Sequence, residues 1–355
     1  MSTEQLELPY LYSKPESYGD LRSKVEDFKV FERLPFEPCG EGEHLLIHIR
    51  KTGANTLFVA RQLAKYFKVK EALVSYAGLK DRNAITEQYF GVHVPGKTEY
   101  DLSDLVIEGV EVLSYKRHNK KLKTGALTGN SFQLTLRNVT NISSLTKRFK
   151  QVIEQGVPNY FGEQRFGIDG QNIDAARELF NGKKVKDKKK RGFYLSAARS
   201  HLFNAIVAER IVLKKFLTPI PGDVYMLAGS RSVFHTDIID DEIERRLSEK
   251  DIDITAPLWG AGESLTTDKA LTLEESVANQ YEDLAKGLGK FGLKQERRKI
   301  CLQVSEAKLE QIIEDKQHTS VVISFFLPAG CFATTILREL INYQDMSHAA
   351  HQTQS

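Results

Sequence analysis

The amino-acid sequence predicts a sheet-based domain interrupted by an inserted, more helical block. Strand patterns gather toward both ends of the chain, clearest at 131–137 and 319–327. The stretch between them, above all 240–300, is charged and helical in tone. At 355 residues the chain has room for two domains, on a soft prior of about 150 residues each.

The elements follow in order. Apolar and charged residues alternate from Asp27, so 24–32 predicts an early strand. Pro38, Gly40 and Gly42 mark a loop. Leu45, Ile47 and Ile49 then alternate as a second strand. Over 55–67, Val59, Leu63 and Tyr66 or Phe67 recur at helical spacing behind a possible Asn55 or Thr56 cap. Leu73, Val74 and Tyr76 form a short apolar strand ending at Gly78, with further strands at 88–94 and 110–115. Phe132, Leu134 and Leu136 face one side of the 131–137 strand. Residues 142–154 return to helical spacing until Gly156 and Pro158 stop the helix. Seven basic groups fill nine positions at 183–191, and a long helix capped at Ser196 is expected next. After the 319–327 strand come a helix from about Phe332 to Asn342 and a polar, frayed tail beyond Asp345.

Composition sets limits on function. Fifty Lys and Arg face 47 Asp and Glu, so net charge alone does not identify a nucleic-acid binder. Cys39, Cys301 and Cys331 form no CxxC pair and suggest no disulfide framework. The nine histidines lack metal-ligand spacing, and His93, His118 and His201 read as ordinary core or surface residues. There is no glycine-rich phosphate loop, so neither a metal nor a cofactor is expected. The N-terminus lacks signal-peptide character, and no apolar run is long enough to span a bilayer. The expected setting is a reducing cytoplasm, with no membrane contact and no obligate protein partner.

One segment draws attention as chemistry. Tyr76-Ala77-Gly78-Leu79-Lys80-Asp81-Arg82 sets a carboxylate between two cations, which favour its ionised, nucleophilic or basic form. Gly78 offers the backbone a sharp turn beside a substrate. On spacing alone the same triplet fits a solvated turn. Two basic stretches could track phosphates: Lys116, Arg117, Lys120, Lys121 and Lys123, and the run at 183–191. Both also fit solvated loops.

Seven motifs in order resemble those of the TruD family of tRNA pseudouridine synthases. Gly78, Lys80 and Asp81 with Thr86, Glu87 and Gln88 resemble its active-site motif. Lys24-Val-Glu-Asp-Phe28 and Lys51-Thr-Gly-Ala-Asn55-Thr56 precede it, and Gly125-Ala-Leu-Thr-Gly129-Asn130-Ser-Phe132 follows. Then come Val157-Pro-Asn-Tyr-Phe-Gly162-Glu-Gln-Arg165-Phe-Gly167, and Ser196-Ala-Ala-Arg199-Ser200 with Asn204. Leu327-Pro-Ala-Gly330-Cys-Phe332-Ala-Thr334 with Arg338-Glu339 closes the series. Val25 stands where the family usually has Pro, and Cys331 where it often has Ser.

The resemblance implies an α+β fold: a pseudouridine-synthase catalytic domain on a mixed β-sheet, residues 1–155 plus 307–355, with an inserted TRUD α/β domain at 156–306. It implies isomerisation of uridine, at position 13 of tRNA, with Asp81 as catalytic carboxylate and no cofactor. Phe28, Asn130 and Phe332 are then expected to contact substrate. Phe132 is a further candidate, although its strand face equally suits core packing. Lys24 is a further candidate for substrate contact and a candidate partner for Asp81. Two other classes stay open: a non-catalytic tRNA-binding or folding protein, and a glycosidase-like enzyme, which needs a second carboxylate such as Glu87.

Overall fold

The computed structural model describes residues 6–314 and 318–347. The first five residues, and the polar tail expected after Asp345 from position 348 on, lie outside the described residues. From the N-terminus the chain forms β1 (Tyr18–Leu21), β2 (Phe28–Arg33), β3 (His44–Thr52), α1 (Thr56–Tyr66), β4 (Val74–Tyr76), β5 (Ile85–His93), β6 (Val110–His118), β7 (Gly129–Leu136) and α2 (Ile142–Gln155). Next come β8 (Val157–Pro158), α3 (Gln171–Phe180), α4 (Lys188–Val212), β9 (Val224–Leu227), β10 (Val233–His235), α5 (Asp241–Ser248), β11 (Ile252–Leu258), α6 (Asp268–Gln280), α7 (Glu282–Lys290), β12 (Glu296–Lys299) and β13 (Cys301–Leu302). The chain returns through β14 (Ser305–Glu314), β15 (Thr319–Pro328), α8 (Ala333–Leu340) and β16 (Asn342–Asp345).

These elements group into two compact units. One holds Pro15–Glu154, Val304–Ala333 and the chain from Leu340 on; the other holds the chain up to Lys14, Gln155–Gln303 and Thr334–Glu339.

The first unit is built on a mixed sheet in the order β14-β15-β7-β2-β5-β3-β6, with β4 also paired to β5. Only β2 and β5 run parallel; the other neighbours are antiparallel. On β7 the alternating Phe132, Leu134 and Leu136 are all buried, as the period-two pattern requires. Phe132 stacks on Phe325 of β15 at 5.4 Å and meets Phe28 of β2 edge-on at 6.2 Å. Asn55 caps α1 by accepting a hydrogen bond from Leu57 N at 2.8 Å. Val59 and Leu63 of that helix pack with Ile47, Ile49, Phe90 and Val92 of the sheet. Each such side chain contributes about 1.5–3 kcal/mol on burial. A separate parallel pair joins β1 to β16.

The second unit carries an antiparallel sheet, β10-β9-β11-β12, and a helical layer. Ala197, Ala198 and Leu202 of α4 meet Ile173 and Ala176 of α3 and Leu284 and Leu288 of α7. No helix among the described residues is long and apolar enough to cross a membrane.

Several elements differ from expectation. Residues 25–27 form a 3-10 turn, not strand, because the Asp27 carboxylate accepts from Lys24 N and ties the turn closed. The long helix begins at Lys188, with Asp187 accepting from Lys189 N and Lys190 N. Ser196 lies inside it, and its hydroxyl accepts from Arg165 at 3.0 Å. The charged 240–300 block also holds two strands: β11 has Ile252, Ile254, Thr255 and Ala256 all buried, and β12 is Glu-Arg-Arg-Lys. Strand β14 is a further element without an apolar-polar alternation to announce it.

Candidate active site

The turn that carries Asp81 is clamped from three sides. Thr56 Oγ1 at the start of α1 accepts from Lys80 N at 3.1 Å and donates to Gln88 Oε1 at 2.9 Å. Gln88 Nε2 donates to Gly78 O at 3.2 Å. Lys51 Nζ donates to Asp81 O at 2.9 Å and to Ala54 O at 2.8 Å. Burial pushes the Lys51 ammonium down to about 8, against the pull of the Asp81 charge. Thr86 and Gln88, both fully buried, share the face of β5 that holds this turn. Gly78 is not in the left-handed region, and a Cβ added there would meet nothing within 4 Å. Its small size leaves open space beside the turn; it does not serve to bend the backbone.

Asp81 draws its counter-charge from far along the chain. Arg22 Nη2 donates to Asp81 Oδ2 at 3.0 Å, and Arg22 Nη1 donates to Asp345 Oδ2 at 2.5 Å. The Arg22 side chain is 8% exposed, while that of Asp81 is 42% exposed. The guanidinium carbon sits 4.0 Å from the centre of the Phe28 ring, a cation–π contact that fixes its plane. Burial alone would raise the Asp345 carboxyl, but hydrogen bonds from Ser347 and the Arg22 charge bring it below its ordinary value. Asp81 Oδ1 has no hydrogen-bond partner among the described residues.

The expected partner, Lys24, is an exposed residue of the turn before β2. Arg22, at a positive φ of 56°, makes the ion pair with Asp81. The two cations flanking Asp81 are engaged elsewhere. Arg82 Nε donates to Gly53 O at 3.2 Å. Lys80 Nζ lies 2.8 Å from Glu32 Oε2 and donates to Asn130 Oδ1 at 2.7 Å. Glu32 is fully buried at its side chain and accepts from Tyr89 N through its other oxygen. Lys80 therefore fixes the carbonyl end of Asn130 and leaves the amide NH2 as its outward donor.

Sheet register places the remaining motifs. Asn130 pairs with Glu32 on one side and Leu327 on the other. Ala329 N donates to Thr128 O at 3.1 Å, so the turn leading to half-buried Phe332 lies against the segment before Asn130. Phe28 and Phe132 are buried, at 2% and 8% exposure; Phe28 backs Arg22, and Phe132 meets Phe28 edge-on. Arg117 is held in place, donating to the carbonyls of Gly42, Val94 and Thr98. Lys116, Lys120, Lys121 and Lys123 are exposed. In the other unit, Lys183, Lys184, Lys186 and Lys188–Lys190 of the basic run are also exposed.

Glu87 lies on the opposite face of β5 from Gln88. There it accepts two hydrogen bonds from Arg50 at 3.0 and 2.8 Å. That removes it as a second carboxylate for Asp81. Sequence reasoning missed Arg22 and Glu32, for which no local pattern existed. It quoted Lys51, Thr56 and Gln88 only as members of motifs.

These contacts place one half-exposed aspartate on a mixed sheet, with one oxygen paired to Arg22 and no hydrogen bond to the other among the described residues. The tRNA pseudouridine synthase D (TruD) family matches residues 7–183 and 171–340. A tRNA pseudouridine synthase D of Colwellia psychrerythraea is 64% identical over 96% of this chain and 95% of its own. The protein of that name from Shewanella oneidensis is 51% identical over 98% and 92%. A crystal structure of a candidate tRNA pseudouridine synthase D from Methanosarcina mazei, 22% identical, shares the fold with a TM-score of 0.71 over 94% of this chain and 95% of that one. The chain belongs to the TruD family.

Proposed function

We infer that this protein isomerises uridine to pseudouridine in tRNA, at position 13, with Asp81 as the catalytic carboxylate. The observation that carries the reading is Asp81 itself: Oδ2 is held by a buried arginine, and Oδ1 is open to a ligand. Relatives up to 64% identical over nearly their whole length bear the name of this activity.

The reaction breaks the bond between uracil N1 and ribose C1′, turns the base and joins C5 to C1′. The C5 proton leaves and N1 gains one, so composition is unchanged. Asp81 acts either as nucleophile at C1′ or as base at C2′; both roles require an ionised carboxylate. The Asn130 amide NH2 is the donor for a carbonyl of the extruded base. Phe332 offers a ring for stacking, worth about 1–3 kcal/mol per base. Phe28 acts from behind, by fixing the plane of Arg22, and Phe132 packs edge-on against Phe28. Taking the target uridine out of the stack costs a few kcal/mol, which these contacts must offset. The unit containing Pro15–Glu154 carries the catalytic groups, and the unit containing Gln155–Gln303 is the inserted domain, its exposed basic run suited to phosphates.

The test uses unmodified tRNA, folded beforehand, incubated with the protein in EDTA without added cofactor. Position-resolved mapping is expected to show pseudouridine at position 13. Binding without any pseudouridine would leave a tRNA-folding protein, and pseudouridine elsewhere would move the target.

A further inference from the structure

Beside the loop joining β6 to β7 lies an open surface cavity of about 480 Å³. Phe36, His118 and Ala126 line it together with Asn119 and the exposed Lys120, Lys121 and Lys123. The two aromatic rings stack face to face, 4.6 Å apart and within 5° of parallel. His118 is fixed in that plane by Cys39 N, which donates to its Nδ1 at 3.3 Å. Desolvation, and then the charge of Lys120, hold the imidazole below its ordinary range, so the ring is neutral near pH 7. Beneath the cavity, Leu122 is buried with Leu46 and Ala77 in a small apolar cluster.

The same loop is tied to the catalytic turn, since Gly125 N donates to Ala77 O at 2.7 Å. Ala77 is four positions before Asp81. No ion pair engages Lys120, Lys121 or Lys123 among the described residues. A flat apolar wall beside three unneutralised cations calls for a ligand with a π-face and an anion a few ångströms away.

We propose that this cavity is a second nucleotide site: an unpaired nucleotide of the RNA, other than the target uridine, stacks on Phe36 while Lys120, Lys121 and Lys123 hold its flanking phosphates. The proposal rests on the reading of tRNA as substrate. Stacking on an aromatic face tolerates any base, so this site anchors the RNA without reading its sequence. The turn bearing Asp81 is its hydrogen-bonded neighbour, through Gly125 N and Ala77 O, so an occupied site fixes RNA register close to the chemistry.

The test is a cycle between protein and RNA, using the full chain and tRNA transcripts that each carry one abasic nucleotide. Phe36→Leu is expected to weaken tRNA binding about tenfold or more. A single abasic position is expected to reproduce that loss with the wild type and to add nothing to it with Phe36→Leu. Ala126→Phe, which fills the cavity and leaves Phe36 in place, is expected to show the same non-additive loss, so the test survives poor folding of either variant. Replacing Lys120, Lys121 and Lys123 together by Ala is expected to flatten the slope of log affinity against log salt by about two to three units. Abasic losses that simply add to Phe36→Leu, wild-type affinity in both cavity variants, or an unchanged salt slope would each overturn the proposal. Pseudouridine formation by the wild type is scored separately. If the wild type forms none, the functional reading fails; if it forms pseudouridine and the cycle is additive, the second site alone fails.

Discussion

Two buried arginines, one in each unit, hold aspartates in opposite ways. Arg210 grips Asp223 through two hydrogen bonds, 2.7 and 2.9 Å, and the side chains are 1% and 0% exposed. Ile220 N closes the remaining space on Asp223 at 2.8 Å. Arg297 and Glu274 repeat the pattern nearby, both side chains under 4% exposed. Arg22, by contrast, divides its fork between Asp345 and a half-exposed Asp81. A closed pair satisfies every atom and can only hold structure. A divided pair leaves one carboxylate oxygen oriented and reachable. Burial of the arginine is common to both; exposure of the acid separates scaffold from site.

The sharpest way to break this contrast is to neutralise the acid in each pair. Asp81→Asn is expected to lower single-turnover pseudouridine formation by at least about 10³-fold. Binding of tRNA should stay within a few-fold of wild type in a filter assay. Near-normal turnover would remove Asp81 from the mechanism. Asp223→Ala should do the reverse. It strands a buried guanidinium and is expected to cost about 3–5 kcal/mol in urea denaturation, while the folded fraction reacts at the normal rate.

A third measurement sharpens the scaffold side. His201 is buried on α4 between the rings of Phe166 and Tyr281. Desolvation, then the Arg177 charge, lower its imidazole to about 4. The unfolded chain takes up this proton near 6.5 and the folded chain only near 4. Between those values the unfolded state binds more protons, so stability is lost as pH falls through the window. His201→Phe removes that loss. Its stability relative to wild type is expected to rise by about 2–3 kcal/mol between pH 7 and pH 4.5. A constant difference would mean that His201 is protonated in the native protein.

The smallest effect is expected at the divided pair itself. Arg22→Lys keeps the charge but cannot bridge two carboxylates, because an ammonium lacks the planar fork. The rate should fall about tenfold to a hundredfold, or roughly 1.4–2.7 kcal/mol. Stability should change less than in Asp223→Ala. A variant that loses stability without losing rate would make Arg22 part of the scaffold.

How far each arrangement was legible follows from the range of the interactions. Strands β7 and β15 could be read because one face is buried, which imposes a period of two on neighbouring residues. The cap at Asn55 could be read because it acts two positions ahead. Asp81 stood out through its motif, but its partner did not. Arg22 lies 59 positions from Asp81 and 323 from Asp345, and nothing near Arg22 signals either. Lys24 was the nearer candidate in an otherwise convincing motif, yet Arg22 makes the ion pair. Strand β12 was hidden for a related reason. Its charges read as solvent-facing, whereas Arg297 pairs with buried Glu274 and Arg298 lies 4.3 Å from the Phe161 ring centre. Only the fold supplies those counterparts.

The partnership of β7 with β15 also sets the timing of assembly. Strand β7 ends at Leu136, and β15 does not begin until Thr319. During synthesis, every residue between them must leave the ribosome before that edge can be covered. Asp345, the second anchor of Arg22, emerges later still. The nascent chain therefore carries an unpaired strand edge while everything between β7 and β15 is made, a template for wrong pairing. At a few to twenty residues per second, that interval is on the order of ten seconds or more. The polypeptide is exposed to wrong pairing while the chain between the two strands is made, and Arg22 receives its second anchor only after β15 has emerged.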